Sequence, residues 1–115
     1  MRLTWLGHSA FHLETADRSV LIDPFWTGNP TFPQGYEDRL GRVDAIVVTH
    51  GHEDHLGDTA RLAAKYGATV VAQYEICTWL SAQEGVTSRM DPNWYVPPAD
   101  YKEGQKFAVA AYAAG

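Results

Sequence analysis

Three of the five histidines of this 115-residue chain lie within six positions, and two acids stand among them: His50, His52, Glu53, Asp54 and His55. Neutral imidazole and carboxylate are common protein ligands for zinc. In an extended segment His50 and His52 project to the same side, whereas Asp54 and His55 follow after the chain has begun to turn. Two metal ions about 3.5–4 Å apart can share a bridging hydroxide, and a bound metal lowers the pKa of water from 15.7 to about 7. The spacing therefore predicts a two-metal site that activates water.

The elements beside this cluster are expected to hold it at one edge of a parallel sheet. Residues 43–48 are a continuous β-branched apolar run, residues 56–67 have the spacing of a helix, and residues 68–72 are apolar again. This order predicts a βαβ unit with a right-handed crossover, and open α/β sheets bind ligands at the carboxyl ends of their strands. Asp54 taken alone is more often a helix N-cap, but four ligand-type residues in six positions favour metal binding.

The other segments predict short strands and one further helix. Alternating patterns before the cluster predict an antiparallel meander, and a loop rich in proline and aromatic residues then leads to one helical turn. After the βαβ unit we expect a second helix, an irregular segment and a last strand. In chain order these segments are strands at 2–6, 10–14 and 19–23, the loop 24–36, the turn 37–40, the helix 74–84, the irregular segment 87–104 and the strand 105–112.

Several side chains outside the ligand set have structural interpretations. His12 alternates with apolar neighbours in its strand, so it is predicted to lie on the surface. Glu53 is predicted to be a solvated acid. Cys77 is expected to pack within the second helix rather than to act as a nucleophile. Trp26 and the other aromatic residues of its loop are expected to pack against the body rather than to line a substrate pocket.

Bulk properties narrow the class of protein. A length of 115 residues allows one domain, and a formal charge of −5 argues against nucleic acid as a partner. One cysteine excludes a disulfide framework. Neither a signal peptide nor a membrane span is evident. These features predict a soluble cytoplasmic protein, and action at a membrane surface remains compatible with them.

Several motifs, in order, resemble the metallo-β-lactamase superfamily. Within it they look like the branch of small metal-dependent hydrolases related to ascorbate-phosphate lactonase. The resemblance covers residues 1 to about 91 and includes the H-x-H-x-D-H pattern of the cluster. The segments that carry it are 3–11 (LTWLGHSAF), 21–25 (LIDPF), 27–30 (TGNP) and 50–59 (HGHEDHLGDT).

The resemblance implies a role for each matching residue. His50 and His52 would bind a first metal ion, and Asp54 and His55 a second, with Asp54 also the candidate catalytic residue. Asp23 would buttress the metal loop from a strand end, although a strand-ending turn residue before a proline is the alternative. His8 would lie near the mouth of the site, with an ordinary turn histidine as the alternative. Zinc fits these ligands best, and manganese and iron also accept them. The resemblance thus implies two kinds of site residue: the metal ligands His50, His52, Asp54 and His55, and the supporting residues Asp23 and His8.

The resemblance also implies an α/β fold of which only part is present. The family's fold is an αββα sandwich of two similar halves. Residues 1–115 would form the N-terminal half, made of the antiparallel meander, the βαβ unit and the second helix. Further ligands expected from the second half have no counterpart, because no histidine follows His55. We therefore expect partial metal occupancy, negligible activity of the chain alone and an uncovered sheet face that favours association with a second copy or a complementing half.

Two functions are compatible with these features. In the first, the complete protein is a hydrolase in which metal-bound hydroxide attacks an ester, lactone or phosphoester-type substrate. In the second, the chain is a non-catalytic half-domain that binds a metal or a partner. Retention of Asp23 together with all four motif ligands favours the first.

Overall fold

A computed structural model of the chain describes residues 1–82, 88–90 and 109–114. Seven strands within these ranges form one mixed sheet, and short helices lie between them. The strands are β1 (Arg2–Trp5), β2 (Phe11–Glu14), β3 (Ser19–Ile22), β4 (Ala45–Val47), β5 (Thr69–Gln73), β6 (Ser88–Met90) and β7 (Val109–Ala114). The α-helices are α1 (Glu53–Leu56), α2 (Thr59–Tyr66) and α3 (Tyr74–Ser81), with a 3-10 turn at Glu37–Arg39.

The sheet runs in the order β1–β2–β3–β4–β5–β7–β6. The first three strands are the predicted antiparallel meander. Strands β3, β4 and β5 are parallel neighbours, so the predicted βαβ unit is confirmed. The prediction of an irregular segment over 87–104 is wrong at β6, which pairs with β7, and residues 91–104 lie outside the described ranges. No helix of the described part is long and apolar enough to cross a membrane.

The single helix predicted over 56–67 is replaced by two helices that meet at Gly57. This glycine has φ +43°, and ψ −121°. A Cβ atom on it would lie 2.5 Å from the Cα of Phe25 and 2.6 Å from the carbonyl oxygen of Pro24. The helix breaks here because the backbone must let the loop after β3 approach this closely, a condition that only glycine meets at such angles. Consequently the histidine cluster extends into α1 instead of ending before the helix.

The helices cover one face of the sheet. Leu21, Ile46 and Val70 are register partners on the three parallel strands, and each is 0% exposed. Residues from α2 and α3, including Leu62 and Leu80, complete this core. Cys77 is buried in it, and Trp26 belongs to the same cluster, as predicted. Period-2 strands therefore turn one row of apolar side chains toward the amphipathic helices.

The opposite face of the sheet is also apolar but is only partly covered. Register places Trp5, Phe11, Ile22, Val47 and Val71 in one row across five strands. Trp5 remains 60% exposed, and the other four side chains are half-buried. Strands buried on both faces are apolar on both faces, so this pattern is that of a sheet built to receive a second layer.

The prediction that His12 lies on the surface is wrong. Its side chain belongs to the helix-covered face, because it is the register partner of Leu21, and only 2% of it is exposed. The hydroxyl of Tyr36 lies 2.6 Å from Nδ1, and the hydroxyl of Ser19 lies 2.8 Å from Nε2. A buried imidazole requires such partners, and Tyr36 reaches it from the segment before the 3-10 turn.

Candidate metal centre

The cluster lies where two neighbouring parallel strands end. Asp23 follows β3, Thr49 and His50 follow β4, and α1 then carries Asp54 and His55. The N–H of Asp23 donates to the carbonyl of Val47 at 2.9 Å, which extends the pairing of the two strands. Asp23 has φ +44°, which is unusual for a residue other than glycine. The surrounding contacts can stabilise this backbone conformation. Parallel pairing therefore brings residues 26 to 32 positions apart to one edge of the sheet.

The carboxylate of Asp23 connects these segments. It is 3% exposed. Its Oδ1 accepts a hydrogen bond from the backbone N–H of Thr49 at 2.7 Å, and its Oδ2 accepts one from the Thr49 hydroxyl at 2.6 Å. The same Oδ2 lies 2.8 Å from Nδ1 of His55. Both oxygens are thus engaged by protein donors, which suits Asp23 to orienting ligands better than to binding a metal itself.

These bonds determine which nitrogen of each imidazole carries a lone pair. An ionised carboxylate only accepts, so Nδ1 of His55 carries the proton and Nε2 is left with the lone pair. The Thr49 hydroxyl donates its one proton to Asp23. It must therefore accept a hydrogen bond from Nδ1 of His50, which lies 2.9 Å away. His50 is then also protonated on Nδ1 and has its lone pair on Nε2. Asp23 sets the first tautomer directly and the second through Thr49.

Donor atoms that lie within 4.8 Å of one another form two groups that share His55, one with Asp23 and His50 and the other with His8 and Asp54. Nε2 of His50 lies 3.1 Å from Nδ1 of His52, a separation that one metal with bonds of about 2.0–2.1 Å can bridge. The second group contains Asp54, His55 and His8, whose donor atoms all lie within 4.8 Å of one another. The rings of His50 and His55 join the groups, with centroids 4.0 Å apart. Imidazole and carboxylate donors at these separations fit a divalent transition metal.

His8, which was predicted near the mouth of the site, lies in contact with two of the predicted ligands. Its Nε2 is 3.2 Å from Oδ2 of Asp54, and its ring is 5.2 Å from that of His55. The rings of Phe25 and His8 pack edge to face, with their centroids 5.6 Å apart. With φ +53° His8 is one of two non-glycine residues of positive φ in the described part of the chain, Asp23 being the other. Both of these unusual backbone conformations lie beside the candidate ligands.

Asp58 fastens the loop after β3 to the helices. Its Oδ2 accepts hydrogen bonds from the backbone N–H groups of Trp26 and Thr27, at 3.0 and 2.7 Å, and its Oδ1 accepts one from the Thr27 hydroxyl at 2.9 Å. Its own N–H donates to the carbonyl of Pro24 at 3.0 Å. Sequence reasoning missed Asp58 and Thr49, because the partners of both are distant in sequence: Asp58 accepts from the backbone of the loop after β3, and Thr49 donates to the carboxylate of Asp23. The signal for Thr49 was its place immediately before the first histidine.

Comparisons with known proteins point to one family. The family model described as the metallo-beta-lactamase superfamily matches residues 3–111. A protein of Sinorhizobium medicae named UPF0173 metal-dependent hydrolase is 51% identical over 84 residues, which are 72% of this chain and 36% of the relative. A protein of Rhizobium meliloti named UPF0173 metal-dependent hydrolase R01310 is 50% identical over 95 residues, which are 80% of this chain and 39% of the relative. The chain thus spans less than half the length of these curated relatives.

A solved structure shows the same fold. The metallo hydrolase Igni18 of the hyperthermophilic archaeon Ignicoccus hospitalis superposes with a TM-score of 0.61 at 29% identity, over 98% of this chain and 59% of the other. The family model and this superposition account for the mixed sheet and its helices. The chain belongs to the metallo-β-lactamase superfamily and forms the N-terminal portion of its fold.

Proposed function

We propose that this chain contributes half of the metal centre of a hydrolase. The observation that carries the proposal is the bonding of Asp23. It engages Thr49 and His55 so that Nε2 of His50 and Nε2 of His55 both retain lone pairs directed away from the supporting carboxylate. A carboxylate that accepts from the second nitrogen of a histidine, and so fixes its tautomer and orientation, is the usual support of a metal-binding histidine.

Each candidate ligand has a place in this proposal. His50 and His52 would hold a first ion, and Asp54 and His55 a second, with His8 beside the second pair. A divalent ion held there supplies a Lewis acid that activates water and stabilises developing negative charge on oxygen. Zinc is the ion that this donor set fits best, with manganese or iron as alternatives. The proposed substrate is a small ester, lactone or phosphoester.

The apolar face opposite the helices supports a complementing second half. Trp5 and Leu3 are each 60% exposed, and they stand on β1 at the two-residue spacing that places them on one face. The curated relatives extend well beyond the part matched here. Residues 1–115 would be a partial domain whose sheet packs on a second layer, and that layer would bring the remaining metal ligands. Alone, the chain would hold fewer than two ions and turn over substrate weakly.

Zinc titration of the chelator-treated chain tests the ligand assignment. Asp54→Asn and Glu53→Gln are a matched pair, because each removes one acid of α1 and only Asp54 contacts the histidines. We expect His50→Ala and Asp54→Asn to weaken zinc binding by at least about tenfold, on the scale of losing an interaction that positions or forms the site. Glu53→Gln should bind like the parent chain. Equal loss in both acid variants would contradict the assignment.

A second candidate function is metal binding without catalysis. It is favoured by one observation: the first donor pair consists of two histidines, whereas a catalytic zinc usually has three protein ligands. Hydrolysis of p-nitrophenyl acetate and bis(p-nitrophenyl) phosphate separates the two candidates. The assay compares the zinc-loaded chain with a form extended to the length of its relatives. Metal-dependent turnover that rises on extension supports the hydrolase, and metal binding without turnover in the extended form supports the alternative.

A further inference from the structure

A polar cavity lies at the other end of the sheet from the histidine cluster. It has a volume of about 340 Å³, within the size range of small-molecule sites. It is lined at the start of β3 by Ser19, whereas Asp23 follows the end of the same strand. The two residues are four positions apart in extended chain, which is roughly 13 Å. We call this cavity the arginine pocket, because four of the six arginines of the chain line it: Arg2, Arg18, Arg39 and Arg42.

The charge of the arginine pocket opposes that of the chain. Its lining carries four arginines and two carboxylates, those of Glu14 and Asp17, whereas the whole chain has a formal charge of −5. Arg2 is neutralised by Glu14 at 2.9 Å, and Arg42 pairs with Asp44. With Arg2 and Arg42 paired in this way, the excess positive charge of the pocket comes from Arg18 and Arg39, and a bound anion would offset it.

Two of these arginines lack a carboxylate partner in the described part of the chain. The guanidinium carbon of Arg39 lies over the ring of Tyr36, 5.3 Å from its centroid. Arg18 donates to the backbone carbonyl of Asp17 at 3.2 Å. Neither guanidinium lies within 4.0 Å of a carboxylate oxygen of the described residues. Their forked donors therefore remain available for an oxyanion, the ligand that guanidinium groups bind best.

Hydroxyl donors line the same cavity. His12 links the hydroxyls of Tyr36 and Ser19, at 2.6 and 2.8 Å from its two nitrogens, and all three residues line the pocket. Burial lowers the pKa of His12, so the neutral ring donates through one nitrogen and accepts through the other. In either tautomer one hydroxyl gives its proton to the ring and the other keeps an O–H for a further acceptor. The chain of three side chains thus always presents one unused donor.

We propose that the arginine pocket binds a small anion through a phosphate group, at a site separate from the histidine cluster. A phosphate dianion offers three terminal acceptor oxygens. Two arginines without carboxylate partners and one spare hydroxyl donor match that number. The cavity exceeds the volume of phosphate itself, so a phosphomonoester of a small metabolite also fits, and its organic part would occupy the remaining space.

Calorimetric titration of the chelator-treated chain with inorganic phosphate tests the proposal, and glycerol 3-phosphate provides a second arm. Measurements at low ionic strength are repeated near 0.15 M, where the Debye length is about 8 Å. We expect Arg18→Gln and Arg39→Gln each to weaken phosphate binding about tenfold, as expected for a charge-assisted hydrogen bond. Tyr36→Phe, which keeps the ring under Arg39, should weaken it several-fold. Tighter binding of the ester would identify a phosphomonoester as the ligand, and equal binding would identify free phosphate.

Lys65→Gln is the matched control. It removes one positive charge outside the pocket, and its partner Glu37 keeps both bonds to Arg61, at 3.0 and 2.9 Å. This variant should bind phosphate within twofold of the parent chain. No binding at millimolar phosphate would overturn the proposal, as would equal losses in the lysine and arginine variants. Loss of binding in His50→Ala with retention in the arginine variants would place the anion on the histidine cluster and overturn it as well.

Discussion

Gly57 is the point where α1, the helix that carries Asp54 and His55, contacts the loop after β3, and its replacement tests how tightly the two are joined. In Gly57→Ala the new Cβ would lie 2.5 Å from the Cα of Phe25 and 2.6 Å from the carbonyl oxygen of Pro24. Both are backbone atoms, so no side chain can rotate away. The backbone at φ +43° adds its own cost for a residue with a side chain.

Gly28→Ala supplies the control for that backbone cost. Gly28 has φ +88°, and a Cβ there would meet only the ring of Phe25 at 3.7 Å, an ordinary contact. A positive φ costs an L-residue about 1–2 kcal/mol in the αL region, and this is the least that either variant loses, because Gly57 at ψ −121° lies outside that region. Overpacking adds about 1–3 kcal/mol to Gly57→Ala alone. We therefore expect Gly57→Ala to lower the free energy of unfolding by about 2–5 kcal/mol and Gly28→Ala by about 1–2 kcal/mol.

Urea unfolding followed by tryptophan fluorescence measures the difference, since Trp26 is buried in the same loop. The two variants should have equal m-values and different midpoints. Zinc affinity gives a second readout, because α1 carries Asp54 and His55 directly before Gly57. Displacement of the loop should weaken zinc binding in Gly57→Ala and leave it unchanged in Gly28→Ala. Equal midpoints would refute the reasoning, since they would show that the loop moves aside at no cost.

Four further changes probe other contacts. Thr49→Val removes the hydroxyl that relays Asp23 to His50 and should weaken zinc binding about 10–100-fold; Thr49→Ser should restore it in a chelator-competition assay, and equal affinities would exclude the relay. Hydrogen bonds from Arg61 and then Lys65 lower the pKa of Glu37 to about 2. The stability that ionised Glu37 gives the fold is therefore complete above pH 4.5, its ordinary pKa, and is lost as the pH falls from there to about 2. The unfolding midpoint of Glu37→Gln should vary less over that range. Burial lowers the pKa of His12, so the unfolded state takes up its proton first and stability falls as pH drops below 6.5; His12→Gln should remove this slope. Burial raises the pKa of Cys77 to about 11, so iodoacetamide at pH 8 should modify the native thiol far more slowly than the urea-unfolded one, and equal rates would contradict its burial.

Much of the fold could be predicted because the relevant signals are local. Alternating and β-branched runs located the strands of the meander and both strands of the βαβ unit. The position of the histidines after β4 followed from the same local pattern. Each of these patterns is formed by residues of a single element. It can therefore be read without knowing which other segments that element contacts.

The contacts that could not be predicted join segments distant in sequence. The helix break at Gly57 depends on the backbone of Pro24 and Phe25, 32 or 33 positions earlier. His12 was expected at the surface because alternation alone does not tell which face the helices cover. Its burial depends on Tyr36, which is 24 residues away. The role of Thr49 likewise requires that two strand ends lie side by side. A pattern in one segment carries no information on such partners.

The bonding of Asp23 implies that the candidate ligands are already oriented in the absence of a metal. Asp23, Thr49 and His55 are joined by hydrogen bonds of 2.6 to 2.8 Å, which involve no metal. The positive φ of Asp23 persists because these contacts over-determine it. Ligands that are already oriented lose little conformational freedom on binding. The first ion would therefore bind at the paired nitrogens of His50 and His52, 3.1 Å apart, and its open positions would await ligands from another segment. Completion of the centre would then depend on covering the apolar face, so metal affinity and association of the second half should rise together.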